Sequence, residues 1–248
     1  MCERIWNRFL TEQDKEVYDR SGFGEKAGFG ERPALLVIDV NYNFCGNRRE
    51  PILESIKKFH NSCGENAWDS LPHIRILRDK CHEKKVPVIY TTGIIRDDGW
   101  DAGGWLWKKS RTAEEATTPN TMGFNRDGND IMDEIAPSPQ DIVIRKHKAS
   151  AFFGTPLSGF LNDLHADSLL VTGTTTSGCV RASVIDAFSL NFRVAIVEEG
   201  CFDRWEASHA VNLCDMHAKY GDVVGINEVL AYLDKLDVNM NVPTGKPL

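Results

Sequence analysis

Asp39, Lys146 and Cys179 are residue types that support covalent catalysis, and each lies at or shortly after the end of an apolar segment of this 248-residue chain. Cys179 ends the run GTTTSGC and opens the segment VRASVIDAF, whose spacing predicts a helix. A thiol at a helix N-terminus feels the positive end of the helix dipole, so we expect a lowered pKa and a nucleophilic thiolate. A carboxylate beside it can exchange a proton with it, and a lysine can stabilise developing negative charge.

Each of the three residues also has an ordinary structural role open to it. Asp39 follows the apolar run ALLVI and can simply cap a turn. Lys146 follows DIVIR and can belong to a solvated basic turn, because two further basic residues flank it. Cys179 can be a packed core thiol, since free cysteine is among the most buried residue types. The catalytic interpretation therefore requires that the three side chains meet.

Alternating strand and helix patterns provide the elements that could bring them together. Short β-branched or Leu-rich runs predict five strands, at 34–40, 86–92, 141–145, 168–173 and 193–198. Apolar residues at three-to-four spacing predict helices at 71–84, 157–164, 180–190, 207–220 and 228–236. This order predicts an α/β fold, a three-layer α/β/α sandwich with a mostly parallel, doubly wound sheet. Ligands bind beyond the carboxyl ends of such strands, where all three residues lie.

Composition excludes several classes of protein. The formal net charge is −7 and no basic block follows a phosphate backbone, so we expect no nucleic-acid partner. No apolar run approaches the roughly 20 residues of a bilayer crossing, and no export signal opens the chain, so we expect a cytoplasmic protein without a membrane partner. Seven cysteines without a C-x-x-C pair indicate reduced thiols.

The chain divides into three parts on its sequence pattern. Residues 1–30 end in the glycine-rich GFGEKAGFG and are interpreted as an N-terminal arm that could pack on a neighbouring subunit. Residues 31–238 carry the alternating elements and form the expected catalytic domain. Residues 239–248 form a C-terminal tail. The irregular stretch 96–125 holds three tryptophans and is either a lid over a pocket or a surface loop anchored by its own rings.

Three motifs in the same chain order carry a resemblance to a known family. They are LLVIDV, which contains Asp39, the pattern K-x-x-x-S-A-F-x-G-T from Lys146 to Thr155, and GTTTSGCVRA around Cys179. Over about residues 30–236 the chain resembles the isochorismatase-like cysteine hydrolase superfamily. The segment FDR at 202–204 and the stretch from Asn212 to Val223 most resemble its N-carbamoylsarcosine amidase and maleamate amidohydrolase members.

The resemblance implies a catalytic triad of Cys179, Asp39 and Lys146. It further implies an oxyanion hole made by the backbone N–H groups of Thr175 and Cys179, and a cis peptide bond between Thr174 and Thr175. The family usually forms tetramers, so a homotetramer is expected.

Lys148 competes with Lys146 for the role of the catalytic lysine. Lys146 is preferred because it has the family's spacing to Ser150.

Arg204, 25 positions after Cys179, is the residue that the resemblance assigns to a substrate carboxylate. A guanidinium matches a carboxylate in a bidentate way, although an ordinary salt bridge to Asp203 or Glu206 is the alternative. Apolar walls that exclude water are expected from three aromatic residues, Trp105, Trp107 and Phe153.

These features predict an amidohydrolase that acts without a metal or other cofactor and releases ammonia through a thioester. The expected substrate is a small carboxylated N-carbamoyl or amide compound, best represented by N-carbamoylsarcosine. The alternatives are maleamate and biuret-like or ureido compounds. The segment TTGIIRDDG has no histidine where metal-binding relatives have ligands, and the pair His209 and His217 is interpreted as structural.

Two interpretations from other classes of protein compete with that of an enzyme. A nucleotide- or flavin-binding module requires G-x-G-x-x-G directly after the first strand, but NYNFCG follows Val40. A catalytically inactive scaffold would be expected to lose at least one triad residue, and all three are present.

Overall fold

Six parallel strands form one sheet in the order β3-β2-β1-β4-β5-β6. The computed structural model describes residues 4–108 and 124–237. The strands are β1 Pro33–Ile38, β2 Val88–Gly93, β3 Ile142–Lys146, β4 Ser168–Thr174, β5 Arg193–Phe202 and β6 Asp222–Val224. Every pairing is parallel, which confirms the predicted α/β architecture. The chain winds from β1 through β2 to β3 and returns to β4 beside β1, so the crevice for a ligand lies between β1 and β4.

Nine α-helices are described with this sheet. They are α1 Glu12–Arg20, α2 Tyr42–Cys45, α3 Ile52–Ser55, α4 Glu65–Glu83, α5 Gly104–Lys108, α6 Leu157–Asp163, α7 Arg181–Ser189, α8 Glu206–Lys219 and α9 Ile226–Lys235. A π-helical turn, Thr176–Val180, leads directly into α7. None of the described helices is long and apolar enough to cross a membrane.

Apolar side chains pack on both faces of the sheet. Successive residues of a strand point to opposite faces, and all six residues of β1 are buried. Leu35 and Val37 belong to a cluster with residues of α4 and α9. Leu36 and Ile38 belong to a second cluster with residues of α6, α7 and α8. The sheet is therefore the middle of three layers, as the continuous apolar runs predict.

The last two strands differ from the sequence prediction. The predicted fifth strand ends at residue 198, whereas β5 continues to Phe202. Glu198 and Glu199 interrupt the apolar pattern, but Glu198 pairs with Arg4 at 3.1 Å and Glu199 accepts the Ile226 backbone N–H at 2.9 Å. These partners let both acids stay in the strand. The three residues of β6 are too few for a recognisable pattern.

The described part of the N-terminal segment packs on the domain of its own chain, and a contact of this arm with a neighbouring subunit stays a prediction. Trp6 is 4% exposed and lies in the cluster beneath α8, with its ring 5.7 Å from that of His217. Arg4 also donates to the carbonyl of Val223 at 3.2 Å. Burial of the indole holds the segment on the domain. The predicted tail, 239–248, lies outside the described residues.

Gly173 permits the close approach of β4 to β1 beside the expected site. It pairs with Ile38 in the parallel register, and its φ is +107°, a conformation that favours glycine. A Cβ at this position would lie 2.7 Å from the Ile38 backbone nitrogen and closer still to its carbonyl oxygen. Because these are backbone atoms, the collision cannot be relieved by a change of rotamer.

We therefore expect Gly173→Ala to destabilise the protein by about 3 kcal/mol or more. For a chain of this size that corresponds to a fall in Tm of roughly 6 °C or more, measured by calorimetry. Gly159→Ala in α6 is the matched control, because a Cβ there meets nothing within 4 Å. A Gly173→Ala protein that melts with the wild type would contradict the assigned contact.

Candidate active site

Asp39 lies directly beyond β1 and is almost completely buried. Its φ of +53° is in the left-handed region, which aspartate tolerates better than most residues, and this turns the chain away from the strand direction. The Thr91 hydroxyl, at the neighbouring end of β2, donates to Oδ1 of Asp39 at 3.1 Å. One carboxylate oxygen is thus held by the sheet, and Oδ2 is directed to another partner.

That partner is Lys146, the last residue of β3. Its Nζ lies 2.7 Å from Oδ2 of Asp39, and it donates to the carbonyls of Lys148 and Ala149, each at 3.1 Å. Three acceptors match the three hydrogens of an ammonium group. Burial opposes the charged form, but the interactions with Asp39 and Cys179 outweigh it and raise the pKa of Lys146. Lys146, rather than Lys148, therefore contacts the carboxylate.

Cys179 lies in the π-helical turn after β4 and is 8% exposed. Burial raises the pKa of this thiol to about 12; the negative charge of Asp39 adds to the increase and Lys146 opposes it. This corrects the expectation that the helix N-terminus lowers the pKa, because desolvation outweighs the helix dipole. In the resting site the sulfur is a thiol beside a carboxylate, so a nucleophilic reaction needs that carboxylate as a base.

The backbone around Cys179 is folded back on Thr175. The peptide bond between Thr174 and Thr175 is cis. The carbonyl of Thr175 accepts hydrogen bonds from the N–H groups of Gly178 at 2.8 Å and Val180 at 3.2 Å. Thr175 and Cys179 both line the cavity that opens over the sulfur. π-helical turns are rare and occur often at functional sites.

The cavity over these three side chains has a volume of about 150 Å³. This is below the roughly 300 to 1,000 Å³ of pockets for drug-sized ligands, so the site suits a small molecule. Its apolar walls include Phe44, Ile94, Ile95 and Trp105, and its amide side chains are Asn43, Asn61 and Asn129. Sequence analysis missed all of these except Trp105. The only available signal was position, since Phe44 closely follows β1 and the two isoleucines directly follow β2.

Two of the three aromatic residues expected to line the cavity lie outside it. Trp105 lines the cavity, and its indole N–H donates to the carbonyl of His147 at 2.9 Å. Trp107 is 87% exposed and Phe153 is 66% exposed, and neither contributes to the described cavity. Residues two apart on a helix do not share a face, which separates Trp107 from Trp105 in α5. In the turn after β3 the buried position belongs to Phe152 instead.

Arg204 lies at the rim of the same cavity, just beyond the end of β5. Its Nε donates to the carbonyl of Asn61 at 3.0 Å, and its guanidinium carbon is 5.6 Å from the centre of the Phe44 ring. Within residues 4–108 and 124–237, no carboxylate forms a salt bridge with this guanidinium, so the alternative pairing with Asp203 or Glu206 does not occur there. An arginine held by neutral groups retains its charge for an anionic ligand.

Asp203 connects the turn that carries Cys179 to the chain just beyond β5, where Arg204 lies. Its Oδ2 accepts the backbone N–H of Ser177 at 2.8 Å and the Ser177 hydroxyl at 2.7 Å, and its Oδ1 accepts the backbone N–H of Arg204 at 2.7 Å. The side chain is 2% exposed. One buried carboxylate thus fixes both sides of the cavity relative to each other, a role that sequence analysis did not assign.

We expect Asp203→Asn to lower kcat about 10- to 100-fold, because the amide turns one of the two acceptor oxygens into a donor that faces another donor. An unsatisfied buried group of this kind costs roughly 1 to 3 kcal/mol. Steady-state kinetics with a thermal melt checks this, and Asp163→Asn, an exposed aspartate in α6, is the matched control. Wild-type kinetics in the Asp203→Asn protein would show that the connection is dispensable.

The two histidines with helical spacing hold structure together. Thr176 Oγ1 lies 2.8 Å from Nδ1 of His209, and the backbone N–H of Val223 donates to Nδ1 of His217 at 3.1 Å. Burial lowers the pKa of both rings. Over the part of the chain that the structure describes, no group of three or more His, Cys, Asp or Glu side chains is arranged to hold a metal ion.

Comparison with known proteins places this geometry in a family. Residues 33–228 match the isochorismatase domain. The N-carbamoylsarcosine amidase of an Arthrobacter species is 34% identical over 91% of this chain and 80% of its own length. The maleamate amidohydrolase of Pseudomonas putida is 28% identical over 86% of this chain and 92% of its own length.

A solved structure supports the fold independently. A cysteine hydrolase from Pseudomonas syringae superposes with a TM-score of 0.71 at 19% identity, covering 82% of this chain and 92% of that one. The domain match runs from β1 to the start of α9 and includes every strand of the sheet together with Asp39, Lys146 and Cys179. The chain therefore belongs to the isochorismatase family of hydrolases.

Proposed function

We propose that this protein is a cysteine-dependent amidohydrolase that releases ammonia from a small carboxylated N-carbamoyl or amide compound. N-carbamoylsarcosine is the best representative of the substrate class. The observation that carries the proposal is the buried contact among Asp39, Lys146 and Cys179 at the floor of a small cavity with the positive charge of Arg204 at its rim.

The arrangement supports attack by sulfur with Asp39 as proton carrier. Asp39 accepts the thiol proton of Cys179 as the sulfur bonds to the carbonyl carbon, and the negative charge passes to the carbonyl oxygen. That oxygen would bind to the backbone N–H groups of Thr175 and Cys179. Lys146 keeps its charge throughout, since its hydrogens are held by Asp39 and two carbonyls.

Collapse of this intermediate releases ammonia after Asp39 returns the proton to the leaving nitrogen. The acyl group remains on sulfur as a thioester, or as a thiocarbamate ester when the substrate is an N-carbamoyl compound. Water then attacks the acyl carbon, Asp39 takes a proton from that water, and the Cys179 thiol is restored. An N-carbamoyl substrate yields a carbamate, which decarboxylates to the free amine.

The charge of Arg204 at the cavity rim is the reason to expect a carboxylate on the substrate, in addition to the amide group that reacts. The names of the two similar enzymes, N-carbamoylsarcosine amidase and maleamate amidohydrolase, both describe carboxylated amide substrates. We therefore keep maleamate as the second candidate.

A substrate panel tests the proposal. Purified protein is incubated with N-carbamoylsarcosine, maleamate, biuret and nicotinamide, and ammonia is measured against a Cys179→Ser background. We expect release from one of the two carboxylated compounds. Release from biuret or nicotinamide alone would support amide hydrolysis but refute the requirement for a carboxylate on the substrate. No release from any compound would refute the proposed amidohydrolase activity.

Replacing Arg204 by Met should raise KM for N-carbamoylsarcosine about 10- to 100-fold and change kcat little. A carboxylate contact remote from the reacting carbon stabilises ground and transition states alike, which is the pattern of uniform binding. N,N-dimethylurea, the same ureido group without a carboxylate, is the control substrate, and its slower hydrolysis should not depend on Arg204. Equal effects on both compounds would mean that the arginine acts on the fold rather than on the carboxylate.

A further inference from the structure

One residue of β2, Thr91, holds both the backbone and the side chain of Asp39. Thr91 pairs with Ile38 in the parallel register of β1 and β2, and its carbonyl accepts the backbone N–H of Asp39 at 3.0 Å. Its hydroxyl donates to Oδ1 of Asp39 at 3.1 Å. Thr91 is 1% exposed, so this hydrogen bond is shielded from water. Asp39 is therefore attached to the sheet at two points by a single neighbour.

Thr91 and Lys146 together hold the two oxygens of the Asp39 carboxylate. Lys146 donates to Oδ2 at 2.7 Å, and Thr91 donates to Oδ1. Within residues 4–108 and 124–237, Thr91 is the only residue whose hydroxyl or N–H group donates to Oδ1. The torsion that turns an aspartate carboxylate is broad and has no sharply preferred angle of its own. The direction of this carboxylate therefore depends on the two donors, one at each oxygen.

The two donors and the sulfur belong to opposite sides of β1. In the strand order, β2 and β3 lie on one side of β1, and β4 lies on the other. Thr91 and Lys146 belong to β2 and β3, whereas Cys179 follows β4. With both oxygens held from the first side, rotation of the carboxylate relative to the sulfur is restricted.

A hydroxyl suits a carboxylate that changes its protonation state. In the proposed reaction Asp39 takes a proton from Cys179, gives it to the leaving nitrogen and then takes one from water. The Thr91 hydroxyl donates to the charged carboxylate, and by rotating it can accept a hydrogen bond from the protonated acid. The Lys146 ammonium can only donate. Thr91 lies outside the lining of the described cavity, so its effect on the reaction passes through Asp39.

We propose that Thr91 is a positioning residue for the proton carrier, and that its hydroxyl keeps the Asp39 carboxylate directed at Cys179 through each proton transfer. This inference rests on the proposed function and adds to it a residue that acts on the chemical step without contacting substrate. It predicts a loss in kcat with little change in KM, because the bound substrate meets the same cavity wall.

Thr91→Val tests this inference, because valine has nearly the shape of threonine without the hydroxyl. With the compound of the panel that is hydrolysed fastest, we expect kcat to fall about 10- to 100-fold and KM to stay within about twofold of the wild type. Thr91→Ser restores the hydroxyl and should recover kcat to within about fivefold of the wild type. Thr172→Val is the matched control. Thr172 is a buried threonine of β4 whose hydroxyl donates to the carbonyl of Leu36 at 3.4 Å, and its substitution should leave kcat unchanged.

A wild-type kcat in Thr91→Val, a loss confined to KM, or a Thr91→Ser protein as slow as Thr91→Val would overturn the inference while leaving the amidohydrolase intact. An equal loss in Thr172→Val would also overturn it, because it would show a general effect of removing a buried hydroxyl. The proposed function fails separately, when no compound of the panel releases ammonia from the wild type.

In that event crystal structures of the wild type and Thr91→Val decide the positioning role. A carboxylate that turns about its Cβ–Cγ bond in the variant supports it. A carboxylate that keeps its direction and its 2.7 Å contact with Lys146 refutes it.

Discussion

Replacing Cys179 by Ser is expected to reduce ammonia release about 10³-fold or more. The substitution keeps the size and place of the side chain, but a hydroxyl is a far weaker acid than a thiol. Burial already raises the pKa of the thiol to about 12 in this site. A carboxylate base therefore cannot deprotonate the less acidic serine hydroxyl effectively. Losses of this size are typical when a member of a nucleophile–base pair is removed.

The matched control is Cys214→Ser. Cys214 lies on α8, away from the cavity lining, with a similarly low exposure of 9%. Kinetics and thermal melts of the two variants separate a catalytic loss from a general effect of introducing a buried hydroxyl. Retained turnover in Cys179→Ser would remove the thiol from the mechanism.

Asp39→Asn should have two opposite effects on the same sulfur. Turnover should fall about 10²- to 10⁴-fold, because the amide neither accepts the thiol proton nor donates one to the leaving nitrogen. Alkylation of Cys179 by iodoacetamide should become faster near neutral pH. The negative charge of Asp39 contributes to raising the pKa of Cys179 and Lys146 contributes to lowering it, so removal of the carboxylate lowers that pKa.

The pH profile gives the sign of this effect. In the wild type the alkylation rate should keep rising with pH up to about 12, since the thiolate is the reactive form. In Asp39→Asn the whole profile should move to lower pH. An unchanged or slower alkylation, with the protein still folded by circular dichroism, would mean that Asp39 does not act on the sulfur.

The fold and the meeting of Asp39, Lys146 and Cys179 could be predicted from the sequence because both depend on local signals. Asp39 and Lys146 each end an apolar run, Cys179 stands between strand β4 and helix α7, and parallel strands bring their carboxyl ends to one edge. Arg204 also lies at a strand end, but Glu198 and Glu199 interrupt the apolar pattern, so the strand was predicted to end before the last part of β5. Only the family resemblance pointed to it.

What sequence reasoning missed depends on contacts between distant segments. The position of Cys179 at a helix start predicted a lowered thiol pKa. Desolvation by the assembled core instead raises that pKa. The cavity walls come partly from Phe44 and Asn61, in a region between β1 and α4 that carries no periodic pattern. Trp107 and Phe153 look equally suitable in the sequence, and only the packing shows that they are exposed.

The most direct test of the account is to trap the acyl group on Cys179. The protein is mixed with N-carbamoylsarcosine, quenched in acid within the first turnovers and digested, and the Cys179 peptide is weighed by mass spectrometry alongside an ammonia measurement. We expect that peptide to gain the mass of the substrate less ammonia, with one ammonia released for each adduct formed in the first turnover. Continued ammonia release from a protein whose Cys179 peptide stays unmodified, and equal release by Cys179→Ser, would contradict a cysteine nucleophile.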